Sequence, residues 1–124
     1  MPAMPSTSAA LYICSGDGPA SRDLYTAWCE RRVHSDGWTV AAVVTDPDIS
    51  TPLDRRSGWR EITGLIGDRR IGGVVTSSRL MLTDTPRAWA RLTALLADRG
   101  VALGTINQPL PRPAGSGPAV GVGR

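Results

Sequence analysis

Four short apolar runs punctuate this chain, and every gap between them carries apolar residues at helical spacing. The runs cover residues 9–14, 38–44, 71–76 and 101–106. Each is bounded by Gly, Pro, Asp or Ser, which is how a strand reads. In the first gap Leu24, Ala27, Trp28 and Val33 recur at helix spacing. In the second, Trp59, Ile62, Leu65 and Ile66 do so, and in the third Trp89, Leu92, Leu95 and Leu96. Helix starts are predicted at Ser21, Ser57 and either Asp84 or Thr85. Pro86 is tolerated in the first turn, where its missing N–H does no harm. Stops are predicted at Asp36-Gly37, Gly67 and Arg99-Gly100. The order β-α-β-α-β-α-β, with short connections, makes a parallel sheet with helices on both faces the natural product. The expected class is therefore α/β, a three-layer domain with a mostly parallel sheet of four strands or slightly more. The second run, Trp38-Thr39-Val40-Ala41-Ala42-Val43-Val44, is apolar nearly throughout. It reads as a strand covered on both faces.

At 124 residues there is room for one domain. Residues 1–8 read as a flexible N-terminus and 9–106 as the folded domain. Residues 107–124, rich in Pro and Gly, read as a disordered tail whose removal from Gln108 onward leaves stability nearly unchanged. No apolar stretch is long enough to span a bilayer, and no basic cluster precedes an apolar run. The expectation is a cytoplasmic protein that does not contact a membrane. Cys14 and Cys29 are too few for a disulfide framework, and with His34 they lack metal-ligand spacing. Neither cofactor nor metal is expected. The net charge is +3, and all fourteen Lys and Arg positions hold arginine. Arginine suits forked contacts to phosphate, but here it is scattered as Arg31-Arg32, Arg55-Arg56 and Arg69-Arg70. Solvated helix ends and loops account for that pattern better than nucleic acid does.

In a parallel α/β sheet, functional groups gather beyond the carboxyl ends of the strands. Three loops qualify: 15–19, 46–56 and 77–83. The first holds Ser15, Gly16 and Gly18 before a helix. Its Gly16-Asp17-Gly18-Pro19-Ala20-Ser21 spacing lacks the third glycine of a dinucleotide fingerprint, so a tight strand-to-helix turn is the better reading. The second holds Asp46, Asp48, Asp54, Arg55 and Arg56, and the third Ser77, Ser78 and Arg79. A serine and arginines from different loops can share one cleft. That grouping suits phosphoryl transfer, with a hydroxyl attacking phosphorus and arginines neutralising the oxygens.

From Leu11 to Ile106 the chain resembles the catalytic domain of serine recombinases, the resolvase and invertase group. The residues that carry the resemblance are Tyr12-Ile13-Cys14-Ser15-Gly16, then Gly37-Trp38, Asp46, Ser50-Thr51 and Arg56-Ser57-Gly58-Trp59. The motif Ser78-Arg79-Leu80-Met81-Leu82 follows, and then Gly100-Val101. The resemblance implies DNA strand cleavage and exchange through a phosphoserine intermediate. It implies Ser15 as the nucleophile, with Arg79 and Arg56 as catalytic arginines and Arg55 as a further phosphate contact. Direct register instead puts Gly16 at the nucleophile position and Cys14 at a neighbouring arginine. In the later motif Arg79 is kept, while Ser78 and Leu82 replace an acid and a second arginine. The family also continues into a long helix and a DNA-binding segment, where this chain has its proline-rich tail. The resemblance therefore implies a degenerate, truncated member with weak or no activity. DNA is expected to bind weakly and without sequence preference, and a protein partner or homo-oligomer fits the same picture. Two alternatives stand beside it: a non-catalytic interaction domain of this fold, or a small nucleotide- or anion-binding α/β domain.

Overall fold

The computed structural model describes residues 7–111. Strands β1 (Ser8–Cys14), β2 (Thr39–Asp46), β3 (Gly73–Thr76) and β4 (Ala102–Thr105) alternate with helices α1 (Pro19–Ser35), α2 (Ser57–Gly67) and α3 (Pro86–Ala97). The four strands form one sheet in the order β2-β1-β3-β4, and every neighbouring pair is parallel. The chain steps outward from β1 to β2, then back across β1 to β3 and on to β4. With right-handed crossovers, that reversal puts α1 on one face and α2 and α3 on the other. The expected α/β class and parallel sheet are both observed.

β1 is the centre of the core, and Ala9 to Ile13 are fully buried. Alternate residues of a strand face opposite sides. Tyr12 accordingly points at α2, where its ring meets Trp59 edge-on with centroids 5.4 Å apart. Ile62 and Ile66 of α2 and Trp89 and Leu96 of α3 are buried at the predicted spacing. Leu95 of the same predicted stripe is exposed, because a helix lying on a sheet buries an arc too narrow for both it and Leu96. Thr85 proves to be the α3 cap: its Oγ1 accepts from the Ala88 N–H at 3.0 Å, and Pro86 follows.

Three expectations need correction. α1 begins at Pro19, two residues before the predicted cap at Ser21, because Gly18 takes a φ of 101° that turns the chain into the helix. β2 is an edge strand, and its apolar run is not covered throughout on both faces. Thr39, Ala41, Val43 and Thr45 are exposed. A register shift opposite Ala9 and Ala10 marks a bulge in the pairing with β1.

The third correction concerns the chain ends. Thr7 accepts from the Thr39 N–H, and Ser8 already belongs to β1. After β4 the chain doubles back, with Thr105 and Gln108 exchanging backbone hydrogen bonds of 2.9 and 3.1 Å. Leu110 is then buried at 4 % exposure, and its N–H donates to Asp36 Oδ2 at 2.8 Å. The Trp38 indole N–H donates to the Pro111 carbonyl at 2.8 Å. Gly73 and Gly104 make room for this strap. A Cβ on Gly104 would lie 2.8 Å from the Gln108 carbonyl, and one on Gly73 would lie 3.1 Å from the Trp38 ring. The domain therefore runs past Asn107 at least to Pro111. The remainder of the predicted tail lies outside the described residues.

Leu110→Ala is expected to cost about 2–4 kcal/mol, the usual penalty for emptying a buried leucine site. Truncation after Asn107 should cost at least as much. Thermal melts check this, and a shift under about 2 °C for both variants would show that the strap contributes nothing.

Candidate functional site

Asp46 ends β2 and is only 4 % exposed. Its carboxyl group accepts from four donors. Tyr12 OH donates to Oδ2 at 2.6 Å, the Gly58 and Trp59 amides donate at 2.9 and 3.1 Å, and Ser57 Oγ lies at 3.5 Å. Those amides are those of the second and third residues of α2, which has no side-chain cap of its own. Asp46 therefore caps α2 from a neighbouring strand, where the positive end of the helix favours an acid. Gly58 is required by this approach, since a Cβ there would sit 2.6 Å from Asp46 Oδ2.

Arg56 immediately precedes α2 and is 5 % exposed. Its Nε donates to the Thr51 carbonyl at 2.9 Å and Nη2 to the Ile49 carbonyl at 3.0 Å. Nη1 donates to the Met81 carbonyl and, at 3.4 Å, to Tyr12 OH. One guanidinium thus ties the loop after β2 to the loop after β3. Tyr12 bridges Arg56 and Asp46, and its hydroxyl is held well above its ordinary pKa by burial first and then by its bond to Asp46.

The other predicted residues lie around this cluster. Ser15 is 7 % exposed and follows β1 directly. Its Oγ accepts from the Asp17 N–H at 3.1 Å, and its own N–H donates to the Asp46 carbonyl at 3.0 Å. Arg55 is exposed, at the end of a short 3-10 turn, Leu53–Arg55. Arg79 is exposed and opens a second 3-10 turn, Arg79–Met81, capped by Ser78 Oγ. A cleft of about 370 Å³ separates the two loops, lined in part by Ile49, Leu53, Arg56, Leu80 and Thr83. Arg79 lines an adjoining cavity of about 230 Å³ that shares Leu80, Thr83 and Asp84 with the cleft. Ser15 lines neither.

The predicted residues thus lie at one end of the sheet, with Arg56 lining the cleft and Arg79 the adjoining cavity. Cys14 and Leu82, at positions where the resemblance calls for arginines, are buried in the core. Burial raises the Cys14 thiol, which keeps it protonated and unreactive at neutral pH. Sequence reasoning missed the role of Tyr12, taken as a strand residue and as part of the first motif of the resemblance. A lone tyrosine in an apolar run gives no sign of its partner thirty-four residues away. Among the described residues no group of three or more His, Cys, Asp or Glu could hold a metal ion, and no helix is long and apolar enough to cross a membrane.

Two outcomes check the cluster. Asp46→Asn should cost about 2–4 kcal/mol, because it turns an amide N–H₂ toward donors it cannot satisfy. Raising the pH should destabilise the fold from about pH 10 upward. An unfolded tyrosine ionises at its ordinary value of 10.0, while folded Tyr12 keeps its proton. In a spectroscopic titration Tyr12 should ionise only as the protein unfolds, and its ionisation in the folded state near pH 10 would contradict the buried network.

No family model and no curated protein sequence matches the chain. Solved structures do match. The C-terminal catalytic domain of ISC1926 TnpA, an IS607-like serine recombinase, superposes with a TM-score of 0.67 at 18 % identity, covering 80 % of this chain and 69 % of that one. The N-terminal catalytic domain of TP901-1 integrase superposes with a TM-score of 0.69 at 15 % identity, covering 81 % and 78 %. At such low identity the likeness is one of backbone architecture, and on that ground the four-stranded parallel sheet with its three helices has the fold of a serine recombinase catalytic domain.

Proposed function

We propose that this domain is a degenerate serine-recombinase catalytic domain that has kept the fold and lost strand cleavage, so that it acts by binding. The observation that carries this reading is the state of Arg56. Its guanidinium is buried and committed to three backbone carbonyls and Tyr12 OH. To meet a scissile phosphate it would have to release the loops it holds. Two further observations support the reading. Ser15 Oγ is engaged by the Asp17 amide, and the Leu82 side chain is packed in the core.

The energetic argument is simple. A charge-assisted contact to a developing phosphorane is worth about 3 kcal/mol, or a hundredfold in rate. Losing two arginines from the set slows the reaction by roughly ten-thousandfold if the effects add. Arg55 and Arg79 are exposed cations at this end of the sheet. In this reading they supply weak, sequence-independent contacts to duplex phosphates, lost as salt rises.

The test is incubation with cleavage-trapping DNA followed by intact-protein mass analysis. No covalent adduct is expected. An adduct mapped to Ser15, and abolished by Ser15→Ala, would overturn the proposal and establish Ser15 as a working nucleophile.

A further inference from the structure

α1 has two apolar sides. Cys29 and Val33 face the core and are fully buried. Leu24, Tyr25 and Trp28 lie round the helix from them. Leu24 is 49 % exposed, and Tyr25 and Trp28 are partly exposed, with ring centroids 5.9 Å apart. At 3.6 residues per turn, Leu24, Trp28, Arg31 and Ser35 fall on one ridge, and Arg32 flanks it. Beside Trp28 an open cavity of about 240 Å³ is lined by Trp28, Arg31, Arg32, Ser35 and Ile106.

Charge is segregated on this helix. Asp23 and Glu30, seven residues apart, share the opposite flank. Arg31 is exposed and makes no ion pair among the described residues. Arg32 is held in place by Asp36 at 3.2 Å and by the Ile106 carbonyl at 2.9 Å. Its buried Nε has no partner. An aromatic ring beside a cavity, with the exposed Arg31 next to it and Arg32 held in the cavity wall, offers a stacking platform and a phosphate contact.

We propose that this flank of α1 binds single-stranded nucleic acid, with one base stacked on Trp28 and an adjoining phosphate on Arg31. Stacking on an aromatic ring tolerates any base, and cationic side chains track the backbone. A duplex is the poorer occupant. A duplex keeps its bases stacked inside, out of reach of Trp28. The surface is also separate from the Ser15 and Arg79 region, because Trp28 lies about 14 Å along α1 from its first residue at the rise of an α-helix. The proposal therefore stands or falls independently of strand cleavage.

The experiment is fluorescence anisotropy with the full chain, a labelled oligo-dT strand and a duplex of equal length, across a salt series. The strand should bind more tightly than the duplex, with affinity falling as salt rises by about 0.7 log units per tenfold salt for each phosphate contacted. Trp28→Leu should weaken strand binding roughly tenfold, the loss of one stacked base. Arg31→Gln, at an exposed position that does not endanger folding, should weaken binding and flatten the salt slope by about 0.7. Arg87→Gln on α3 should change neither. Equal binding of duplex and strand, no binding at low salt, or indifference to Arg31→Gln would overturn the proposal. Self-association of the chain that is abolished by Trp28→Leu would overturn it in favour of a dimer.

Discussion

Asp46 is the interaction on which this end of the molecule depends. It is an acid buried at the end of an edge strand, and burial of such a group is costly unless it is fully hydrogen-bonded. Four donors from β1 and α2 meet that need. The arrangement sets where α2 starts and which rotamer Tyr12 takes, and Tyr12 in turn receives Arg56. Arg56 then fixes the carbonyls of Ile49, Thr51 and Met81. Two loops that bound the cleft are thus held by one chain of polar contacts rooted in a single carboxyl group. Networks of this kind cannot give up a member cheaply, because each group left behind is buried and unpaired. In the proposed reading, that is the physical reason an arginine lining the cleft does not serve as a phosphate ligand.

The opposite end of the sheet is closed by different means. β3 and β4 are short, and glycines at positions 73 and 104 leave the sheet surface bare of side chains there. Leu110 and Trp38 fill that space. The last turn of α1 is drawn into the same closure through Asp36, which pairs with Arg32 and accepts from the Leu110 amide. The strap therefore does two things at once. It covers sheet area that no helix reaches, and it anchors the arginine that flanks the Trp28 cavity.

How much could be read in advance varied with the range of the forces involved. Strands and helices were legible because periodicity and turn residues are local signals. The parallel sheet followed because short βα connections leave few alternatives. The one-sided exposure of β2 was not legible, since Val and Ala serve equally well on an edge strand and in the middle of a sheet. The strap was not legible either. Proline and glycine dominate the composition after Asn107, and a single leucine among them does not announce that two glycines far upstream have made a socket for it.

The candidate site divides in the same way. By itself the sequence determined that Ser15, Arg55, Arg56 and Arg79 come to one end of the sheet, because each follows a strand of a parallel α/β array. It also determined that Cys14 and Leu82 stand where the family resemblance calls for cations. Only the tertiary structure decided what each arginine does. Arg55 and Arg56 are adjacent and chemically identical, yet one is exposed and the other is committed to the interior. The difference arises because Arg56 precedes the first residue of α2, where the chain turns inward beneath Tyr12. A guanidinium on that side meets backbone carbonyls, and one residue earlier it meets water.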